Sequence, residues 1–171
     1  GEYVIENDGF AGINGSYFDT GWTKNNYYFA PVYNSNLGKM INEGQLKYWT
    51  TGPMVVFDEQ HNPYYFKDSR QLESVSHFEQ EYNADIQAAI SNRPRLVDEG
   101  KNQLIDWALD DKQIKQSSLR NALGYKEGNI YLVVVRSATV PELAEVVKAM
   151  GMEYALNLDG GYSSALFYND E

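Results

Sequence analysis

Between Leu119 and Leu158 the chain writes out a hairpin, a helix and a further strand in immediate succession, and this run constrains the fold more than any other. Leu119–Tyr125 and Ile130–Val135 are apolar, β-prone segments bracketing Lys126-Glu127-Gly128-Asn129, a turn suited to joining antiparallel neighbours. Thr139 then stands three residues before Glu142, the spacing of a capping box, and Pro141 is tolerated in a first helical turn. Leu143, Val146, Val147 and Met150 form an apolar stripe, and Gly151 supplies the stop. Tyr154-Ala155-Leu156 follows as a buried strand. Strand, helix and strand over 130–158 read as a right-handed crossover between parallel neighbours. The expected fold class is α+β, a mixed β-sheet core with packed helices, in a single domain over residues 1–171.

The upstream half is patterned more weakly. Phe10 to Phe18 is apolar but interrupted by Asn14-Gly15, a pair suited to a bend at a strand end. Lys24 to Asn36 reads as a polar-flanked aromatic loop that could fold over the surface as a lid. Pro53–Phe57 and Tyr64–Phe66 are strands of a hairpin with a longer loop, and Leu72, Val75, Phe78 and Tyr82 recur at the spacing of a short amphipathic helix. There is no repeat, no low-complexity tract and no linker.

Charge and composition remove several functions. With 14 Lys and Arg against 24 Asp and Glu, the formal net charge of -10 repels nucleic-acid phosphates and anionic membrane surfaces. No apolar stretch approaches the roughly 18 residues of a membrane span. The absence of cysteine excludes disulfides, thiolate catalysis and cysteine zinc sites. Fourteen tyrosines suit a carbohydrate-facing surface, and core packing explains most of them equally well.

One segment places polar chemistry at a strand end. In Asn157-Leu158-Asp159-Gly160-Gly161-Tyr162-Ser163-Ser164-Ala165-Leu166, a carboxylate and a hydroxyl-rich turn lie between two apolar segments, and paired glycines let a ligand approach the main chain closely. Asp159 can serve there as acid, base, nucleophile or metal ligand. Taken alone, Asp159-Gly160-Gly161 is better explained by a structural turn, and Asn14-Gly15 by a hairpin.

With its neighbours, the segment resembles the signature of the phosphodiester glycosidase domain family. Ala155 to Ser164 carries the similarity first. Gly12-Ile13-Asn14-Gly15-Ser16-Tyr17-Phe18 resembles the family's early asparagine-glycine-aromatic motif, Arg93-Pro94-Arg95-Leu96-Val97 with Gly100-Lys101 its middle segment, and Arg120-Asn121-Ala122-Leu123-Gly124 its arginine-containing strand. The matches run in order from about residue 11 to 167. Tyr162 stands where a third glycine is common and would narrow the pocket; Ser16 replaces a frequent glycine. The family's terminal segments fall outside this chain, so an additional chain could complete the fold.

The resemblance implies hydrolysis at the anomeric carbon of a sugar linked through phosphate. Glycosyl transfer passes through an oxocarbenium-like state served by carboxyl groups, and a phosphate leaving group needs little protonation. The catalytic candidates are Asp159 as base or nucleophile, Arg120 as a bidentate phosphate clamp, and Asn14 as a hydrogen-bonder to sugar or phosphate. Substrate-binding candidates are Asn157, Gly160, Gly161, Ser163, Ser164, Arg93 and, as a second carboxylate, Asp19. No cofactor is required, and a divalent cation beside Asp159 stays an open alternative. The expected partner is a carbohydrate or glycosyl-phosphate substrate, and the expected setting is secreted or at the cell surface.

Competing chemistry is poorly supported. His61 and His77 are isolated from these motifs, and Ser163-Ser164 lacks the nucleophile elbow of serine hydrolases. Asp106, Asp110 and Asp111 do not have calcium-loop spacing; Arg120 could equally pair with a surface acid. A non-catalytic carbohydrate-binding or structural domain is the alternative function.

Overall fold

The Thr139 side chain accepts the Glu142 amide while the Glu142 carboxylate accepts the Thr139 N–H at 2.7 Å, so a helix begins after Thr139. It runs Val140–Ala149, with Gly151 at a φ of 81° beyond its end. In this computed structural model, which describes residues 1–18, 28–48, 52–105 and 108–169, the helix is the last of four. Chain order gives α1 (Glu2–Glu6), β1 (Ala11–Ile13), β2 (Val32–Asn34), β3 (Lys39–Ile41), β4 (Met54–Asp58), β5 (Pro63–Phe66), α2 (Val75–Tyr82) and β6 (Ile86–Ser91). There follow β7 (Arg95–Asp98), β8 (Lys101–Asn102), α3 (Asp111–Lys115), β9 (Ser118–Lys126), β10 (Asn129–Ala138), α4 (Val140–Ala149), β11 (Tyr154–Leu158) and β12 (Leu166–Tyr168). The class is α+β.

Two compact units are formed. The first comprises residues 1–15 and 96–171, the second residues 16–95. In the first, five strands lie in the order β10-β9-β11-β7-β8, and β1 pairs with β12 in a separate antiparallel ribbon. The β9–β10 hairpin closes through Glu127-Gly128, both at positive φ, as the sequence predicts. The crossover is different from the expectation. β10 and β11 run in the same direction but are not neighbours, because β9 lies between them and pairs antiparallel with both. β10 stays the edge strand of the sheet, and the chain leaving α4 pairs with the other side of β9.

α4 packs Val140, Leu143, Ala144 and Val147 into a core with Leu96, Val97, Ala122, Val133, Met152 and Ala155. That stripe is rotated from the expected one: Val146 and Met150 are exposed by 36% and 40%. Val140, in the first turn and fully buried, sets the helix face toward 140, 143, 144 and 147.

The second unit is a five-stranded sheet in the order β3-β2-β6-β4-β5, its described registers all antiparallel. The expected β4–β5 hairpin is present. The expected helix from Leu72 is split: Asp68 caps a 3-10 turn over Ser69–Leu72, Glu73 takes a φ of 61°, and Ser74 caps α2 afresh. Residues 32–34, expected within a loop, form β2, with Tyr33 packed against the core. The remainder of the lid expectation, residues 24–27, lies outside the described residues. Leu46, Met54, Val56, Leu72, Phe78 and Ile86 fill this second core. Among the described residues, no helix is long and apolar enough to cross a membrane.

The rotated α4 stripe is testable by chemical denaturation. Leu143→Ala, at a fully buried position, should lower stability by about 2–5 kcal/mol. Met150→Ala should cost less than about 1 kcal/mol; equal losses would place the stripe where the sequence alone puts it.

Candidate active site

β11 enters the sheet buried along nearly its whole length, and its end delivers Asp159. Past that end no ladder remains to hold the main chain, and side-chain amides replace it. Asn14 Nδ2 and Asn121 Nδ2 each donate to the Asp159 carbonyl oxygen at 2.7 Å, and the Asp159 N–H donates to the Gly15 carbonyl at 2.8 Å. Asn14 Oδ1 in turn accepts from Asn121 Nδ2 at 2.7 Å and from the Ala165 N–H at 2.9 Å. Both peptide groups flanking the Asp159 Cα are therefore anchored.

The carboxylate takes no part in this clamp's bonds to the Asp159 main chain and is half-buried. Burial pushes its pKa above the ordinary aspartate value, against the opposing effect of hydrogen bonds from the Ser163 side chain and the Gly160 amide. The turn that follows is tightly fitted. A Cβ on Gly160 would lie 2.7 Å from the Leu119 carbonyl oxygen of β9, a backbone atom that cannot move aside, and Gly161 has a φ of 65°. A 3-10 turn over Gly161–Ser163 then leads to Ser164, whose N–H donates to the Gly161 carbonyl. The Ser164 Oγ is buried without a hydrogen-bond partner. Tyr162, expected to narrow a pocket, projects fully into solvent.

Strand periodicity separates the other candidates. Asn157 lies across from Ala122, and Ala122 across from Val133, so the three share the face covered by α4. Asn157 is buried there rather than beside Asp159. Arg120, two residues before Ala122, is on that face too. Its Nε donates to the Ala138 carbonyl at 3.1 Å, and its Nη2 to the carbonyls of Gln116 at 2.8 Å and Lys112 at 3.2 Å. The guanidinium thus caps the C-terminal turn of α3, where helix carbonyls lack partners. Of the four residues expected to converge, the structure joins Asn14 to the Asp159 main chain, while Arg120 is engaged by main-chain carbonyls and Asn157 is buried under α4.

Asn121 is the residue that sequence reasoning missed. It was visible only as a member of the arginine-containing motif, yet an amide in the middle of a strand that buries completely must find partners. Its place beside Arg120 puts its side chain on the side of the sheet away from Ala122, the side of Leu158, where it reaches the Asp159 carbonyl. Arg93 is exposed in the second unit, and Asp19 lies outside the described residues. Asp110 caps α3 and Asp111 pairs with Lys115 at 2.9 Å, so these acids serve their helix; Asp106 lies outside the described residues. Among the described residues, no group of three or more His, Asp or Glu is placed to hold a metal ion.

An aspartate whose main chain is fixed at a strand end by two asparagines, beside a glycine-serine turn, is the candidate site of this α+β fold. The family model described as phosphodiester glycosidase matches residues 7–171, and the chain belongs to that family. Among solved structures, the catalytic domain of zebrafish N-acetylglucosamine-1-phosphodiester alpha-N-acetylglucosaminidase, auto-inhibited by its pro-peptide, is similar with a TM-score of 0.67 at 16% identity, over 94% of this chain and 53% of that one. A hypothetical protein from Synechocystis is similar with a TM-score of 0.62 at 13% identity, over 98% of this chain and 49% of that one. These likenesses are of fold, and this chain spans about half the length of each. No curated protein matches the sequence.

The clamp predicts an asymmetric response at Asn121. Asn121→Ala removes donors from two buried acceptors and should cost about 1–3 kcal/mol in chemical denaturation. Asn121→Asp keeps the shape but turns a carboxylate toward the Asn14 and Asp159 oxygens, so it should cost at least as much. Native stability in both variants would show that the amide clamp does not hold the turn.

Proposed function

We propose that the chain hydrolyses the glycosidic bond of a sugar-1-phosphodiester, releasing the free sugar and leaving a phosphomonoester. The observation that carries this reading is the fixed Asp159 main chain with its half-buried carboxylate, in a chain of the phosphodiester glycosidase family. The bond from the anomeric carbon to the phosphate oxygen breaks, and the phosphate departs with its electron pair, needing little help from an acid. Asp159 acts on the sugar side. As nucleophile it attacks the anomeric carbon, and water later releases the sugar; as base it takes a proton from the water that attacks directly. Asn14 and Asn121 are positioning residues, because the Asn14 amide and the Asn121 Nδ2 are spent on the Asp159 main chain and on the bond between the two asparagines. Ser163 orients the carboxylate. A secreted or surface setting suits such a substrate.

A second reading, a carbohydrate-binding domain without turnover, is favoured by one observation. Arg120 spends its Nε and one terminal nitrogen on main-chain carbonyls, so the expected cation for the phosphate is committed to the fold. Screening sugar-1-phosphodiesters against non-phosphorylated glycosides, with and without chelator, separates the readings and tests for a divalent ion. Turnover confined to phosphodiesters supports the hydrolase.

Asp159→Asn should abolish turnover, with a loss of at least about 10²-fold, while the melting temperature changes little. Undiminished turnover would remove Asp159 from the reaction. The ionised carboxylate is the working form of either a base or a nucleophile, and burial raises its pKa. Activity should therefore fall as pH drops through a value above the ordinary aspartate range. An acid limb at or below that range would contradict the assigned environment.

A further inference from the structure

The second unit holds a cavity of about 460 Å³ that the Asp159 chemistry does not use. It lies between β5, the 3-10 turn at Ser69–Leu72 and α2, and all of its lining comes from residues 64–82. Its floor is a cluster of four rings. Tyr64 meets Phe78 at 5.0 Å and Tyr82 at 4.9 Å between centroids, both edge to face, and Phe78 lies tilted by 32° against Tyr82 at 4.8 Å. Phe66 completes the group. Phe78 is completely buried, whereas Tyr82 is 43% exposed and offers ring surface to whatever enters.

The rim is polar and balanced in sign. Lys67 and His77 stand with Glu81 around the mouth, and His77 Nδ1 has a second acid, Glu73, at 3.8 Å. Lys67 and Glu81 bring one fixed charge of each sign to the lining, so it gives little net pull on an anion. Its long side chains provide both donors and acceptors, and its floor provides aromatic surface. That combination fits a neutral polyhydroxylated ring, whose C–H face packs on an aromatic plane while its hydroxyls bridge donors and acceptors. The volume lies within the range of small-ligand sites.

We infer that this cavity is a binding site for a neutral saccharide, held on Tyr82 and hydrogen-bonded by the rim. The site is separate from catalysis at Asp159, and its occupancy does not depend on the hydrolase reading. Calorimetric titration of the whole chain with glucose, N-acetylglucosamine, maltotriose and chitotriose tests it, with inorganic phosphate as the anionic probe. At least one saccharide should bind. Tyr82→Ala should weaken that binding by about tenfold or more, and Glu81→Ala, at an exposed position with no core role, by several-fold. Asp159→Asn should leave it unchanged. The inference is overturned if no saccharide binds, if phosphate alone binds, if Tyr82→Ala and Glu81→Ala both bind as the native chain does, or if Asp159→Asn alone loses the ligand.

Discussion

The hydrogen bonds that fix the Asp159 peptide groups join parts of the chain that local structure could never bring together. Asn14 reaches Asp159 across 145 residues and the Ala165 amide across 151, and Asn121 reaches Asn14 across 107. Each bond alone contributes little, because folding exchanges a water partner for a protein one. Their value is that none can be lost cheaply: with Asn121 fully buried, a missing partner leaves a desolvated amide. The same bonds dock the β1 end beside β11 and so give the β1–β12 ribbon its place, since Asn14 follows β1 directly and Ala165 precedes β12. The site and this edge of the fold rest on one set of bonds.

What could be read from the sequence follows from how local each signal is. The Thr139–Glu142 box, the Glu127-Gly128 turn and the Met54–Phe66 hairpin are each decided within a dozen residues, and each formed as expected. Which strand β11 would pair with was not local. The apolar run at 154–158 is compatible with either side of the hairpin, since both β9 and β10 offer a free edge, and it pairs with β9. The α4 stripe failed for a related reason: Val146 and Val147 are alike in sequence, and the sheet surface beneath chooses between them. The family motifs located the Asp159 turn, but a motif records that residues occur together, not that they share a face. Arg120 and Asn121 are adjacent in one motif, and alternation sends them to opposite sides of the sheet. An explicit in-and-out assignment of β9, anchored on the buried Ala122, contains that distinction.

The two best-defined aspartates show why burial alone does not mark a functional carboxylate. Asp58 is almost wholly buried, and desolvation by itself would raise its pKa. It nonetheless lies below the usual value, because the Asn62 side chain and amide, the Tyr64 hydroxyl and the Gln60 amide all donate to it at 2.8 to 3.0 Å. Those donors saturate the carboxylate and leave it closing the β4–β5 loop. Asp159 is the more exposed of the two, yet its pKa moves the other way. Its backbone takes the strong donors of the clamp, while its carboxylate receives only Ser163 and the Gly160 amide. A charge held in a defined direction with too few donors is a poor contributor to stability and a good base. In Asp159 the fold supplies rigidity through the peptide and withholds solvation from the side chain, and the proposed role of Asp159 rests on that division of labour, which Asp58 lacks.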